Sequence, residues 1–239
     1  MDARGGSMGN VLVVRSKLSL GAQASVILAF AAWLIGPLAI AGDMHWREGW
    51  IYYVALGLGL LAHGMSVRRR NPELWRARRE IGAGTPSWDL VWNAVFWWLM
   101  AGAPLLAAFE HRKHAGLLPP WTLALGALLL WGGLAVSALA MAHNVFFEGT
   151  VRLQKERGQR VIDTGPYARV RHPGYMGLCL WAAGTPLLLR SSWALPVGAV
   201  IIAWVAFRTA LEDRLLRSGL EGYEAYARRV RWRLLPGLW

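Results

Sequence analysis

The sequence predicts an all-α integral membrane protein, a helical bundle of about six membrane segments in which the last two form a helical hairpin. Apolar residues make up 55% of the 239 residues and charged residues only 17%, against roughly 45–50% and about 25% in soluble domains. The chain also contains 15 tryptophans, and tryptophan is enriched where a bilayer meets water. This composition excludes disordered, collagen-like and disulfide-rich secreted proteins.

Six apolar stretches justify the number of segments. They are Leu20–Ala41, Trp50–Val67, Leu90–Phe109, Trp121–Ala142, Tyr175–Leu189 and Trp193–Leu211. A helix needs about 20 apolar residues to cross the hydrocarbon core, and the first four stretches reach or approach that length. The fifth is shorter and contains Gly177, Gly184 and Pro186. With Arg190–Ser192 as a turn, it is expected to pair with the sixth stretch as a hairpin.

Positive charge predicts the orientation of the bundle. Of the 26 lysines and arginines, 21 lie in the segments 1–19, 67–88, 143–172 and 212–239. These segments fall on alternate ends of the apolar stretches, which is the pattern of cytoplasmic loops. We therefore expect both termini in the cytoplasm, the lipid bilayer as the partner, and no nucleic-acid partner despite the net charge of +12. Richness in Ala, Gly, Leu, Arg and Trp suggests a bacterial inner membrane.

Two long polar segments predict where function resides. Most loops in compact proteins have about 4–6 residues, but His143–His172 and Glu212–Trp239 are far longer and lie on the same expected face of the membrane. We therefore expect residues 1–142 to form four N-terminal membrane helices. Residues 143–239 are expected to form a catalytic region that contains the hairpin and the C-terminal tail.

The start of the fifth helix predicts an anion site. Proline is favoured in the first helical turn, so Pro173 indicates a helix that begins directly after Arg171 and His172. The free N–H groups and positive end of a helix attract a carboxylate or a phosphate. The alternative is that these residues are interfacial side chains that only extend toward water.

A second pair of ionisable residues lies near the membrane boundary. Arg208 and Glu212 are four residues apart and so share one helical face. Ionisable groups at membrane depth are expensive and are functional hypotheses by default. The alternative is a structural pair whose charges neutralise each other. The tail that follows alternates Tyr, Trp and Leu with Arg, which suits either an anionic membrane surface or a lid over a bound cofactor.

The sequence does not predict a metal site. The single cysteine, Cys179, cannot supply the spacing of a thiolate site. His111 and His114 have helical ligand spacing, but two cationic residues lie between them. Phosphate-binding glycine motifs of the common nucleotide folds are also missing from the sequence.

The polar segments resemble the isoprenylcysteine carboxyl methyltransferase family, which is related to phospholipid N-methyltransferases and bacterial thiol methyltransferases. The motifs concerned are Gly165-Pro166-Tyr167, Arg171-His172-Pro173-Gly174-Tyr175-Met176-Gly177, Glu212-Asp213-Arg214-Leu215-Leu216 and Tyr223-Glu224-Ala225-Tyr226. Their combined spacing is far more specific than any one of them. The resemblance extends from about Met141 to the C-terminus, and the first three membrane helices carry no such signature.

The resemblance implies an integral membrane enzyme that uses S-adenosylmethionine in a pocket open to the cytosol and closed by the C-terminal tail, with the acceptor entering from the bilayer. It assigns cofactor binding to Gly165, Tyr167, Arg171, His172, Pro173, Tyr175, Gly177, Glu212, Asp213, Tyr223 and Tyr226. It assigns catalysis to Arg208 and Glu212, with Glu212 and Asp213 as an acidic pair after the last helix.

The chemistry of the methyl donor suits these residue types. His172 and the start of the fifth helix can hold its carboxylate, Glu212 or Asp213 its ammonium, and the tail aromatics its adenine. If the acceptor is a carboxylate, Arg208 would orient it and no general base is needed. If it is an amine or a thiol, a proton must leave and Glu212 becomes the candidate base. The acceptor stays open at this point and can be lipophilic or a small molecule.

Two other functions compete with methyl transfer. An NADPH-dependent membrane reductase of the sterol reductase type has a C-terminal region of similar appearance, although such enzymes usually have longer chains. A non-enzymatic membrane scaffold or transport component is the second alternative. Transport usually leaves charged residues near the middle of the bilayer, whereas the charges in this sequence collect on one face.

Overall fold

A computed structural model describes residues 33–78, 85–115 and 117–239 of the protein. Its helices, after a helical segment at residues 33–41, are α1 (Arg47–Arg70), α2 (Pro72–Ala77), α3 (Ser87–Arg112), α4 (Thr122–His143), α5 (Pro173–Leu188), α6 (Ala194–Gly219) and α7 (Tyr223–Arg229). Two short 3-10 helices, Lys155–Arg157 and Gly165–Ala168, lie in the loop between α4 and α5. Within the described ranges the only β-pairing is an isolated bridge between Leu117 and Ser191, so the predicted all-α class is confirmed.

Four of these helices, α1, α3, α4 and α6, are long and apolar enough to cross a membrane. The chain is thus a multi-pass membrane protein. Helix α5 has 16 residues, which is short for a span, as its sequence suggested. Most of the first apolar stretch lies outside the described residues, so the expected number of six segments stays a prediction.

Helix α6 extends beyond the last apolar stretch. The shared helical face of Arg208 and Glu212 requires the helix to continue past Leu211, and α6 does so as far as Gly219. The acidic pair Glu212 and Asp213, which the family resemblance places after the last helix, therefore lies within α6. An apolar stretch ends where the membrane ends, whereas a helix continues as long as its backbone and side chains are satisfied. Here Arg217 bonds to Asp213 one turn earlier, with Nε 3.1 Å from Oδ2, and such i,i+4 pairs stabilise helices.

Glycines bring α4 and α5 into unusually close contact. A Cβ atom added to Gly133 of α4 would lie 2.4 Å from the carbonyl oxygen of Gly177 on α5, and one added to Gly177 would lie 2.5 Å from that of Gly133. Gly126 and Gly184 form the same kind of contact further along the pair. Small residues allow helix backbones to approach in this way within membranes. The contact fixes the first turn of α5 beside the end of α4.

Polar contacts at the other end of the bundle hold the α5–α6 turn. Glu110 of α3 is 1% exposed, and its carboxylate accepts hydrogen bonds from Ser191, Ser192 and the backbone N–H of Trp193. The backbone N–H and hydroxyl groups at the start of α6 are thereby satisfied by a side chain from α3.

The C-terminal tail docks onto α6 through Asp213, whose side chain is almost fully buried. Arg171 donates to both carboxylate oxygens, with distances of 2.8 Å from Nε and 3.2 Å from Nη2. Tyr223 donates its hydroxyl at 3.0 Å, and Arg233 donates Nε at 3.1 Å. One buried carboxylate thus joins the start of α5, the end of α6 and the tail.

Arg171 also holds the backbone of the tail. Its Nη1 donates to the carbonyl oxygens of Val230 at 2.7 Å and Arg231 at 2.8 Å. The backbone N–H groups of Arg171 and His172 bond to the carbonyls of Trp232 and Arg233, both at 2.9 Å. The tail therefore lies against the start of α5, and the guanidinium group satisfies carbonyls that follow the end of α7.

We predict that Gly133→Val lowers the stability of the detergent-solubilised protein by about 1–3 kcal/mol, because the new side chain overlaps the α5 backbone. Gly132→Val is the matched control, since a Cβ at that neighbouring position meets nothing within 4 Å. Thermal unfolding followed by circular dichroism should show a clear loss for the first variant only. Equal losses in both variants would mean that helix propensity, not the α4–α5 contact, determines the effect.

We predict that Asp213→Asn releases the tail. Removing one partner of a buried ion pair leaves an uncompensated charge and costs about 3–5 kcal/mol, so trypsin should cleave at Arg228, Arg229 and Arg231 much faster. The control is Asp163→Asn, because Asp163 pairs with Arg229 of the same tail at an exposed site, where ion pairs contribute about 0–1 kcal/mol. Unchanged cleavage of Asp213→Asn would contradict the proposed anchor.

Candidate functional site

A polar cleft lies between the α4–α5 loop, the start of α5, the end of α6 and α7. The space that it encloses is about 800 Å³, including the solvent in its open mouth. It is lined by Asn144, Phe146, Phe147, Glu148, Thr150, Val151, Arg152, Gln154, Gln159, Arg160, Val161, Ile162, Tyr167, Arg171, His172, Gly174, Tyr175, Glu212, Leu216, Leu220, Tyr223 and Tyr226. Aromatic, acidic and basic groups thus converge on one space.

Four side chains from α5, α6 and the tail form a connected polar cluster in the cleft. The hydroxyl of Tyr175 donates a short hydrogen bond to the carboxylate of Glu212. The His172 ring stacks on Tyr175, with ring centroids 5.7 Å apart, and its Nε2 lies 3.4 Å from the hydroxyl of Tyr223. Glu212 therefore accepts a hydrogen bond from Tyr175 and also lines the cleft.

The first turn of α5 presents backbone to the cleft. Pro173 begins the helix, as the sequence predicted, and Gly174 follows in the cleft lining. A Cβ on Gly174 would lie 2.3 Å from the ring of Phe147, so only glycine allows this ring to pack against the helix start. Pro173 has no N–H, and the N–H groups of the two residues after Gly174 bond to the carbonyl oxygen of His172 at 3.1 Å. The N–H of Gly174 and the positive end of the helix are therefore the groups of this turn that can attract an anion.

Three buried tyrosines form the wall on the tail side. Tyr226 donates its hydroxyl to the carbonyl oxygen of Tyr167 at 2.8 Å, and Asn144 donates to the Tyr167 hydroxyl at 3.1 Å. Burial raises the pKa of Tyr167, Tyr223 and Tyr226 above the ordinary phenol value. The phenols therefore stay protonated and act as hydrogen-bond donors throughout the physiological pH range.

The α4–α5 loop forms the opposite wall around Arg152. Its guanidinium binds Glu148 in bidentate fashion, with Nε–Oε2 at 2.8 Å and Nη2–Oε1 at 2.9 Å. Gln154 is 2% exposed and donates to the carbonyl oxygen of Phe146 at 2.7 Å. Paired charges and satisfied amides help to give this loop a defined shape, although it contains only two short 3-10 helices.

Arg208 lies beside the cleft and is 5% exposed. Its Nη2 is 2.9 Å from Oδ1 of Asp89 and donates to the carbonyl oxygen of Gly149 at 3.0 Å. The guanidinium carbon lies 4.3 Å from the centre of the Trp92 ring and 5.4 Å from that of Tyr175. Arg208 is outside the cleft lining but contacts Tyr175, which is part of it.

The structure brings most of the sequence-predicted site residues together. Those that line the cleft are Tyr167, Arg171, His172, Tyr175, Glu212, Tyr223 and Tyr226. Those outside the lining are Gly165, Pro173, Gly177, Asp213 and Arg208. Three of these five have structural contacts elsewhere. Pro173 starts a helix, Gly177 packs on α4, and Asp213 binds cationic side chains and Tyr223. The neutralising Arg208–Glu212 pair that we considered does not form, because Arg208 pairs with Asp89 instead.

Sequence reasoning missed Asp89 and Trp92, which surround Arg208 from α3. We began the third apolar stretch at Leu90, one residue after Asp89. A carboxylate at the margin of a membrane helix is itself a functional signal, and Asp89 could have been found by that rule. Its partner could not be found in this way, because Asp89 and Arg208 are 119 positions apart and no local pattern links them.

Comparison with known proteins agrees with this geometry. The isoprenylcysteine carboxyl methyltransferase (ICMT) family model matches residues 123–218, which include α5 and most of α4 and α6. A probable protein-S-isoprenylcysteine O-methyltransferase of Oryza sativa subsp. indica is 31% identical over 134 residues, covering 52% of this chain and 69% of the rice protein. The protein-S-isoprenylcysteine O-methyltransferase of Schizosaccharomyces pombe is 33% identical over 112 residues, covering 46% and 47% of the two chains.

A further relative, the protein-S-isoprenylcysteine O-methyltransferase of Saccharomyces cerevisiae, is 34% identical over 97 residues, or 38% of this chain and 39% of the yeast protein. The family resemblance of the polar motifs is thereby confirmed. Together with four apolar helices long enough to cross a membrane, these matches exceed what a shared hydrophobic composition would produce. The chain therefore belongs to the isoprenylcysteine carboxyl methyltransferase family, and it is a membrane methyltransferase that uses S-adenosylmethionine as its methyl donor.

Proposed function

We propose that this protein methylates the carboxylate of an isoprenylated cysteine at the cytoplasmic face of a membrane. The observation that carries the proposal is the buried Arg208 guanidinium, which lies beside the cleft within cation–π distance of the rings of Trp92 and Tyr175. A cation in an apolar, water-poor position binds a carboxylate far more strongly than an exposed one. The names of the relatives, which are isoprenylcysteine O-methyltransferases, support the same acceptor.

The cleft residues fit S-adenosylmethionine. The first turn of α5, with Gly174 and His172, suits the carboxylate of the amino-acid end, because helix N-termini attract anions. Glu212, which lines the cleft with one hydrogen bond from Tyr175, suits the ammonium. Apolar and aromatic residues of the cleft suit the flat adenine, among them Val161, Ile162, Leu216, Leu220 and Tyr226. When bound, the cofactor would supply an electrophilic methyl group carried on a sulfonium. After methyl transfer, its sulfur would remain as a neutral thioether.

The protein's own residues then act mainly by positioning and by excluding water. Arg208 binds the acceptor carboxylate and directs an oxygen toward the cleft. No general base is required, since a carboxylate has already lost its proton at neutral pH. The contacts of Trp92 and Tyr175 keep the guanidinium out of water, and the docked tail covers the cleft from the cytoplasmic side.

The position of the cleft supports the topology that we infer. The cleft lies at the bundle end formed by the last residues of α4, the first of α5 and the last of α6. Most lysines and arginines collect at this end, which we assign to the cytoplasm of a bacterial inner membrane. We propose residues 143–239 as the catalytic region and residues 1–142 as the membrane helices that support it. Asp89 and Trp92 belong to the supporting helices and contact Arg208.

The function is tested with a matched set of acceptors. Purified protein in lipid nanodiscs should transfer a tritiated methyl group from labelled cofactor to N-acetyl-S-farnesyl-cysteine. The kcat/KM for this acceptor should be at least about tenfold above that for N-acetyl-S-butyl-cysteine, because the longer chain buries more apolar surface. The methyl ester of the farnesyl compound should accept no label. Product label should be released by mild base, as expected of an ester. Base-stable label would contradict carboxyl methylation.

We predict that Arg208→Ala and His172→Ala fail in different ways. Arg208→Ala should lower kcat/KM by on the order of 100-fold because the acceptor loses its orienting cation, while titration calorimetry shows unchanged cofactor binding. His172→Ala should weaken cofactor binding about tenfold or more, since it removes a polar group of the cleft next to Tyr223.

Arg214→Ala serves as the control for both variants. Arg214 lies on the same helix as Arg208, and its side chain is exposed. It should retain cofactor affinity and turnover. If Arg208→Ala and His172→Ala both kept wild-type turnover, the assigned site would be wrong. Thermal stabilisation by S-adenosylmethionine but not by NADPH would separate methyl transfer from reductase chemistry.

A further inference from the structure

Arg208 is held by α3, a helix outside the matched residues 123–218. Its Nη2 lies 2.9 Å from Oδ1 of Asp89 and donates to Oδ2 at 3.1 Å. Asp89 is 0% exposed, so this ion pair is shielded from water on both sides. A buried pair of this kind keeps its geometry only when further hydrogen bonds satisfy the remaining polar atoms.

Asp89 has such further bonds at Oδ2, whereas its Oδ1 is buried and has no hydrogen-bond partner among the residues that the structure describes. Its Oδ2 accepts the backbone N–H of Val151 at 2.9 Å and the side-chain amide of Asn93 at 3.3 Å. Val151 belongs to the α4–α5 loop and lines the cleft. The carboxylate therefore joins three elements: its own helix, the cleft loop and, through Arg208, helix α6.

The described contacts of Arg208 involve its Nη2 atom and the flat guanidinium group. Nη2 is occupied by Asp89 and by the carbonyl oxygen of Gly149, and the rings of Trp92 and Tyr175 lie within cation–π distance. The Nε atom is also buried, yet it has no hydrogen-bond partner among the residues that the structure describes. A buried donor without a partner is rare and calls for an explanation.

We propose that Asp89 is a positioning residue that orients Arg208 so that its Nε edge is left for the acceptor carboxylate. The inference rests on the proposed function, since it assigns the unused N–H to the same acceptor. Asp89 touches neither substrate nor cofactor in this scheme. Its role is to accept the hydrogen bond of Nη2 and so to fix the plane of the guanidinium. Because Asp89 also accepts the backbone N–H of Val151, the orientation of that plane depends on the α4–α5 loop. Recognition of the acceptor then depends on an N-terminal helix that the matched residues do not include.

The test begins with Asp89→Asn, which keeps the shape of the side chain and an oxygen that can accept from Val151 but removes the charge that binds Arg208. We expect kcat/KM for N-acetyl-S-farnesyl-cysteine to fall on the order of 100-fold, as expected when an orienting group shifts by about 1 Å. Cofactor affinity by calorimetry should stay within about twofold of wild type. That result also shows that the variant is folded.

Glu110→Gln is the matched control, because Glu110 is a second buried carboxylate of α3, located at the opposite end of the bundle. It should lower thermal stability and leave kcat/KM unchanged. A positioning role and a general stabilising role are thereby separated. If Asp89→Asn lowered stability as Glu110→Gln does but retained wild-type kcat/KM, the proposal would be overturned.

A double-variant cycle with Arg208→Lys tests whether Asp89 acts through Arg208. If it does, the loss in Asp89→Asn/Arg208→Lys should equal that of Arg208→Lys alone, whereas independent roles would add. Additive losses would overturn the positioning role. Failure of the proposed function has a different signature: Arg208→Lys and Arg208→Ala would then both retain wild-type turnover, whatever Asp89→Asn does.

Discussion

The structure depends on one constraint, which is that charges buried at the end of a lipid-embedded bundle must be paired. An isolated charge in a water-poor interior is strongly unfavourable. Asp213 meets this constraint with Arg171 and Arg233, and Asp89 meets it with Arg208. Each carboxylate pairs with a cation from a distant part of the sequence. The charges are therefore neutralised only when these parts of the chain come together in the folded protein. The polar cleft is built between these two paired centres.

Close helix packing makes that arrangement attainable. The glycine contact between α4 and α5 sets the first turn of α5 against the end of α4, and this turn carries Arg171 and His172 immediately before it. Arg171 then reaches both the carboxylate on α6 and the carbonyls of the tail. Side chains larger than hydrogen at Gly133 or Gly177 would separate the backbones. The cleft geometry thus follows from packing inside the membrane rather than from the cleft residues alone.

Much of this architecture was predictable from the sequence, and the reasons are local. Apolar stretches mark helices because lipid contact demands them, and Pro173 marks a helix start because of its fixed backbone angle. The cleft tyrosines were found through the family resemblance of the motifs that contain them. The Asp89–Arg208 pair was not, because it joins positions 119 residues apart and no periodicity links them. The continuation of α6 beyond its apolar stretch was expected from the shared helical face of Arg208 and Glu212. Its end at Gly219 was not predicted, because hydropathy changes at the membrane boundary whereas helical hydrogen bonding continues past it.

Glu212 and Asp213 illustrate how one helix supports two roles with adjacent carboxylates. Successive residues of an α-helix point about 100° apart, so the two side chains face different surroundings. Asp213 faces the tail, where three arginines and Tyr223 bond to it. Glu212 faces the cleft, where Tyr175 bonds to one oxygen. If both had faced the tail, no acidic group of α6 would be available for a cationic ligand, and if both had faced the cleft, the tail would lose its anchor. The pairing of Asp213 with the tail and the position of Glu212 in the cleft lining thus both follow from the rotation between successive residues of one helix.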